Sequence, residues 1–592
     1  MEITKENQGR FEKGRPNKKG GVKTLPFIIV NEVFEKVAGY GLHANMILYL
    51  TKEYHYSKAD GTSLLYLWFA FSNFMPVVGA FLSDSYLGRF RVLASASLVN
   101  LVGLILLWLT AVLRDARPPP CDKSTKACPS ASVEQQMLLF SAFALMAIGA
   151  GGIRPCSIAF GADQINDPEH PKNERRMQTY FSWYYASACL SIMVSVTVIV
   201  YIQNAKGWKV GFGVPVVLMF LAAVLFFVGA SMYVKLPPNR SLLGGFAQVI
   251  VASWKKRCLT PSSKSSGQWN YYHKGSKVDR PTDKLRFLNK ACMIVNAKKE
   301  LDSNGLAVDP WYLCTVRKVE ELKAIIRVLP IWSTGIVVAV IIAQQSFPVF
   351  QASTMDRRIT SRFSIPAGSF GVFGILTITI WVLIYDRAIV PLTVKLTKRP
   401  GGLTLKQRMG IGLSISCLSM MVAALVEQRR RATAIREGYL DNPDSVISMS
   451  ALWMAPQHCL MGLAEAFFAI GQIEFYYSEF PKWMASIAMA LLAFGIAVGS
   501  LVGSQMVRII KDLSSRGGNQ NWLSDNLNRG HYDRYYWVLT GLTVANLLYY
   551  LVCSWAYGSC NDPGAWDEED LNHTVGDSDH SDKIRSPLVI HT

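Results

Sequence analysis

Apolar residues in this chain fall in long runs. Val92–Leu113, Val210–Val234 and Trp537–Tyr557, and Ile331–Ala343 with its flanks, are the plainest. A helix rises ~1.5 Å per residue, so about twenty such residues cross a hydrocarbon layer of ~30 Å. Read this way, the pattern predicts spans near 25–51, 62–87, 90–113, 133–160, 178–203, 210–235, 323–346, 366–390, 408–427, 449–478, 484–510 and 534–557. Six spans precede a long polar stretch and six follow it. The expected fold is an all-α membrane protein with 12 transmembrane helices in two six-helix bundles, 25–235 and 323–557. An N-terminal segment (1–24), a basic linker (236–322) and an acidic and polar tail (558–592) complete the chain.

Two six-helix bundles joined by a linker describe the major facilitator fold, whose solute site lies near the bilayer midplane between the halves. Composition agrees, because only 17% of the residues are charged and half are hydrophobic, against about a quarter charged in soluble proteins. The net charge of +19 raises the possibility of nucleic-acid binding, but the Lys and Arg residues lie mainly between the apolar runs. By the positive-inside rule the N-terminal segment and the linker are expected in the cytoplasm, and an even number of spans puts both termini there. Arg429-Arg430-Arg431, after the ninth span, strains this topology because they would face outside. Within the linker, Ser262–Gly267 is expected to be flexible and Pro281–Leu301 to form an interfacial helix. The eleven cysteines form no CxxC pair. Cys121 and Cys128 share a Pro-rich loop expected outside the cell, where a disulfide could persist.

The first span carries Glu32, Glu35 and Lys36 within five residues. Each ionised group near a helix centre costs about 2.5–3.5 kcal/mol on insertion scales, and this spacing puts all three on one face. That face is expected to line a polar cavity. Arg154 in the fourth span and Glu465 in the tenth supply opposite charges, one in each half, and a salt bridge between them would form or break as the bundles rock. The alternative is that water or backbone satisfies each separately. Together the five groups carry one net negative charge, so a bound proton neutralises the set and an anionic solute favours another. Glu474, nine residues past Glu465, is read as structural.

At these residues the chain resembles the proton-coupled oligopeptide transporter family, and within it the plant branch of nitrate and peptide transporters. The matching stretches run in order: Glu32-x-x-Glu35-Lys36, Gly79 to Asp84-Ser-Tyr-Leu-Gly88-Arg89, Gly151-Gly-Ile-Arg154-Pro, Phe160-Gly-Ala-Asp163-Gln164, Tyr385-Asp386-Arg387, Leu405-Lys-Gln-Arg408 and Gly462-Leu-Ala-Glu465. The resemblance implies proton coupling by Glu32, Glu35 and Lys36, substrate contact or gating by Arg154 and Glu465 with Tyr40 nearby, and a cytoplasmic gate at Asp84 and Arg89. It implies no cofactor beyond protons. Three departures argue against dipeptides: Lys36 stands where many relatives have Arg, Gly39 replaces the first tyrosine of a Tyr-Tyr-Gly, and the fifth helix reads Tyr184-Tyr-Ala-Ser-Ala-Cys189 where Asn is usual.

The seventh span offers Gln344, Gln345 and Ser346, neutral donors that could hold a small anion with Arg154. Phe34-Glu35-Lys36-Val-Ala-x-Tyr-Gly-Leu and Asn73-Phe-Met-Pro76 resemble members associated with nitrate. The expected function is proton-coupled symport of a small anion, nitrate first, across a plant plasma membrane by alternating access. Hormones, glucosides, other organic anions and di- or tripeptides are the alternatives, as is a receptor without net transport. No metal cluster, nucleophile elbow or phosphate loop points to an enzyme: Gly149-Ala-Gly-Gly152 lies inside an apolar helix and lacks the following Gly-Lys-Ser/Thr.

Overall fold

A computed structural model describes residues 20–558, apart from 122–128, 166–172, 237–241, 259–270, 274–279, 398–401, 481–483, 517–520 and residues 304, 345, 362 and 444. It is almost wholly helical and divides into two compact units, residues 1–56 with 71–238, and 57–70 with 239–591.

The first unit is built from α1 (Leu25–Lys52), the end of α2 (Lys58–Leu82), α3 (Arg89–Val112), α4 (Val133–Ile165), α5 (Asn173–Val194) and α6 (Val200–Val228). The fifth helix runs through a π turn at Ser195–Ile199 into α6, and the helix is broken by a kink at Gly207, where φ is +77°. Only glycine adopts that angle without strain, so the residues before it prolong the fifth helix and those after it form the sixth. α3 packs along α4, and α1 packs on α6, α5 and α4. Glycines allow the closest approaches: a Cβ on Gly79 would lie 2.2 Å from the carbonyl oxygen of Gly151, and one on Gly149 would meet Asn100 at 2.4 Å. The glycine run of α4 is therefore a helix-packing surface.

The second unit contains α7 (Leu242–Lys255), α8 (Val316–Ile342), α9 (Val372–Ile384), α10 (Leu405–Arg436), α11 (Ala455–Glu479), α12 (Ala485–Ser514) and α13 (Tyr532–Tyr557). A π turn at Tyr385–Ile389 carries α9 on into Val390–Thr397. It also takes in Ser57–Ala70, the start of α2, where Lys511 Nζ lies 2.8 Å from Asp60 and Arg508 Nε donates to Ser63 Oγ at 2.8 Å. Counting the fifth and sixth helices separately, twelve long helices stand among the described residues. Ten runs are long and apolar enough to cross a membrane, with the fifth and sixth helices forming one of them. α1 falls outside this set because Glu32, Glu35 and Lys36 interrupt its apolar character.

Two expectations change. Pro281–Leu301 is not one interfacial helix but short turns, Arg286–Asn289 running into a 3-10 turn at Lys290–Cys292, and then Ala297–Glu300, the first preceded by Leu285 in a left-handed conformation at φ 53°. Leu288 and, three and four residues on, Ala291 and Cys292 lie on one side of this short helical stretch and insert into the core of the second unit. The fully buried Lys256 ammonium fastens this segment by donating to the Met293 carbonyl at 2.7 Å. The amphipathic helix of the linker is α7, which buries Phe246, Val249 and Ala252 in the same core. Ser262–Gly267 lies outside the described residues.

The basic run after the ninth span also has a structural explanation. α10 continues to Arg436, past the predicted end at 427. Arg430 is fully buried, donates to Glu427 at 2.7 and 2.8 Å and to Asn528 at 2.8 Å, while Arg429 stacks on Trp453. One of the three charges is therefore neutralised inside the protein. Cys121 is disulfide-bonded; Cys128, its expected partner, lies outside the described residues.

Candidate functional site

α1 reaches the interior of the first unit carrying two carboxylates that are each only 2% exposed, Glu32 and Glu35. Burial on this scale requires partners. Glu32 takes Lys36 at 2.8 Å, one turn along the same helix. Glu35 takes Arg154 from α4, whose Nη2 donates at 3.0 Å and Nε at 3.2 Å to the same carboxylate oxygen. The four groups form a charge-balanced cluster. It is incompletely satisfied, because the second carboxylate oxygen of Glu32 is buried without a hydrogen-bond partner among the described residues, with the buried Tyr184 of α5 beside it.

Gly39 sits one turn past Glu35. A Cβ there would be 3.5 Å from both Arg154 Nη2 and Glu35 Oε1, so any larger side chain would extend over the ion pair. Glycine leaves the guanidinium uncovered, and a quarter of the Arg154 side chain stays accessible. Tyr40, the next residue, is exposed at 37%.

In the second unit, Glu465 of α11 is half-buried and has no cation or hydrogen-bond donor paired with it among the described residues. Gln344 does not stand free: its amide and the Tyr535 hydroxyl are within 2.8 and 3.0 Å of each other. Ser346 is buried at the start of the short helix Ser346–Ser353, and Gln345 lies outside the described residues.

Arg89, at the start of α3, donates from Nη1 to both carboxylate oxygens of Asp163 at 2.7 Å, with Asp84 3.6 Å away. Asp163 lies within a motif already noted in the sequence but carried no role there. The counterpart of Arg89 in the second unit is Arg408, at the start of α10, which pairs with Glu474 and stacks over Tyr385 at 4.5 Å.

The correspondence goes further. Gly151, Arg154 and Asp163 on α4 have the same spacing as Gly462, Glu465 and Glu474 on α11, three and then nine residues apart. In each unit the glycine lies against a glycine of a neighbouring helix: a Cβ on Gly79 would be 2.2 Å from the Gly151 carbonyl oxygen, and one on Gly462 would be 2.3 Å from the Gly374 carbonyl oxygen. The terminal acid pairs with an arginine opening the preceding long helix. Arg154 and Glu465 are thus equivalent positions of an internal repeat with opposite charge. The repeated spacing was available in the sequence as a pointer to Asp163 and Glu474.

The sequence profile of the POT family matches residues 90–523. The Arabidopsis thaliana protein NRT1/PTR FAMILY 1.2 is 50% identical over 584 residues, 96% of each chain, and NRT1/PTR FAMILY 1.1 from the same plant is 52% identical over 548 residues, 92% of this chain and 93% of that protein. The crystal structure of an auto-inhibited POT family peptide transporter matches with a TM-score of 0.66 at 18% identity, covering 90% of this chain and 96% of that one. At this identity the likeness concerns the fold alone.

Proposed function

Because the chain belongs to the POT family of membrane transporters, we propose that it is a proton-coupled symporter of a small anion, nitrate first among the candidates. Protons are the coupling ion, and the plasma membrane, with both termini in the cytoplasm, is its setting. The observation that carries the reading is the Glu35–Arg154 pair beside Gly39: a guanidinium held by a carboxylate, with a quarter of its side chain still accessible.

Protonation of Glu35 removes the negative charge that holds Arg154, and the freed guanidinium then offers its planar donor fork to an anion. An anion arriving without a proton would compete with a buried carboxylate for the same donors and meet its repulsion. Proton and anion therefore bind with positive coupling, which a symporter requires. Glu32, with its orphaned oxygen and Lys36 alongside, is a second proton position. Two protons per singly charged anion would then carry one net positive charge inward per cycle. In the proposed cycle Glu465 serves substrate contact or gating in the second unit, and Asp84, Arg89 and Asp163 latch the cytoplasmic side. A larger anion or a peptide would need the space that Gly39 leaves and a partner for its remaining polar groups.

Purified protein in liposomes with an imposed pH gradient tests this. Nitrate accumulation driven by external acid, with inward positive current, is the expected result. Nitrate binding without flux would make the protein a receptor, and flux of an organic anion with silence for nitrate would change the substrate.

A further inference from the structure

α7 has two faces of different fate. Phe246, Val249 and Ala252 are buried in the core that α8 and the other long helices of the second unit share, and Lys318 of α8 bonds Gln248 at 2.7 Å, so the helix is clamped to the base of those long helices. The opposite face carries Ala247, Ile250 and Trp254, spaced three and four residues apart and therefore aligned along one stripe. Ile250 is 55% exposed and Trp254 68%. The stripe ends in cations. Arg257 stacks on the Trp254 ring at 4.5 Å, and Lys255, whose contact with the exposed Asp309 is 3.6 Å long, flanks it. Over residues 236–315 the sequence has thirteen Lys and Arg against five Asp and Glu.

We propose that this face of α7 is a docking site for an anionic lipid leaflet: Ile250 and Trp254 enter the headgroup boundary, and Lys255 and Arg257 meet lipid phosphates. An indole with a guanidinium stacked on it presents apolar area and charge together, as a bilayer interface requires. A second copy of the chain would bring like charge against like charge. The leaflet brings the opposite charge, and it is already beside a helix anchored to membrane-crossing neighbours. The consequence is that leaflet charge sets how firmly the linker is held.

The test is hydrogen exchange of residues 244–258 in the full chain, one molecule per nanodisc, in phosphatidylcholine alone and with one part in three of phosphatidylglycerol. Each basic side chain near an anionic surface contributes a factor of roughly five, so exchange should slow about tenfold or more in the anionic disc. Trp254→Ser with Arg257→Gln should restore the rate seen in phosphatidylcholine while peptides from α8 keep their protection, which shows that the fold is intact. Equal exchange in the two discs overturns the proposal, as does a lipid difference that survives the double substitution. A chain ending at Gly558 that loses the protection in both discs also overturns it, because the acidic segment Asp567-Glu-Glu-Asp570 would then be what covers the stripe.

Discussion

Replacing Glu35 with glutamine separates binding from coupling. The amide keeps the shape, and its oxygen can still accept one hydrogen bond from Arg154, but the negative charge goes and an NH2 group faces a guanidinium that has only donors. In the native cluster Arg154 approaches this carboxylate at 3.0 and 3.2 Å. Removing one partner of a buried ion pair costs about 3–5 kcal/mol. The low end applies, about 3 kcal/mol, because a quarter of Arg154 remains accessible. That same free energy becomes available to an incoming anion. Since 1.4 kcal/mol is tenfold in affinity, nitrate should bind up to roughly a hundredfold tighter than to the native protein at neutral pH. The sign with pH follows. Native affinity rises as pH falls, because protonation does what the substitution does, and the variant's affinity is flat. Binding to purified protein at pH 5.5 and 7.5, with accumulation in liposomes under a pH gradient, reads both effects; the variant should exchange nitrate across the membrane but not concentrate it. A Glu35→Gln protein whose binding and uptake keep the native pH dependence would refute the assignment.

Gly39→Tyr should raise the KM for a small anion by ten- to a hundredfold, the loss of about one charge-assisted hydrogen bond, as its side chain covers Arg154, with thermal stability unchanged; an unaltered KM would place the anion elsewhere. Glu427→Gln should destabilise the detergent-solubilised protein by about 3–5 kcal/mol, since it strands the fully buried Arg430, and Glu427→Leu with Arg430→Met should recover most of the loss; scanning calorimetry or a thermal-shift assay decides, and a single variant as stable as the native protein would contradict the buried network. In the linker, burial pushes the Cys292 thiol up to about 12 and the Cys314 thiol to about 11, whereas Cys258 is exposed. At pH 8 iodoacetamide should modify Cys258 first and reach the other two only after denaturation, as peptide mass spectrometry would show; early loss of Cys292 would mean the linker is not clamped.

Much of this was legible because membrane insertion imposes a strong pattern. Long apolar runs can be counted, and charges inside them are costly enough that each must have a use, which singled out Glu32, Glu35, Lys36, Arg154 and Glu465. Asp163 and Arg408 were visible only as parts of motifs, since a charge near a helix end has an unremarkable explanation in water. Glu427 and Arg430 were hidden for a related reason: at the end of a span they read as surface charge, and nothing local announces that α10 continues and is enclosed by Gln351, Thr354 and Asn528.

The sequence by itself determined the helical class, the order of the long apolar runs and the candidate charges, because hydropathy and charge cost depend on residue type and spacing alone. Only the tertiary structure decided which charges meet. Arg154 takes Glu35, Lys36 takes Glu32 and Arg89 takes Asp163, and these choices depend on how closely helices approach, which the glycine contacts at Gly79 and Gly151 set. It also decided that the linker is held by α7 and by the buried Lys256 in place of a single interfacial helix. The linker's short apolar groups are compatible with several local conformations, and packing against α8 selects among them.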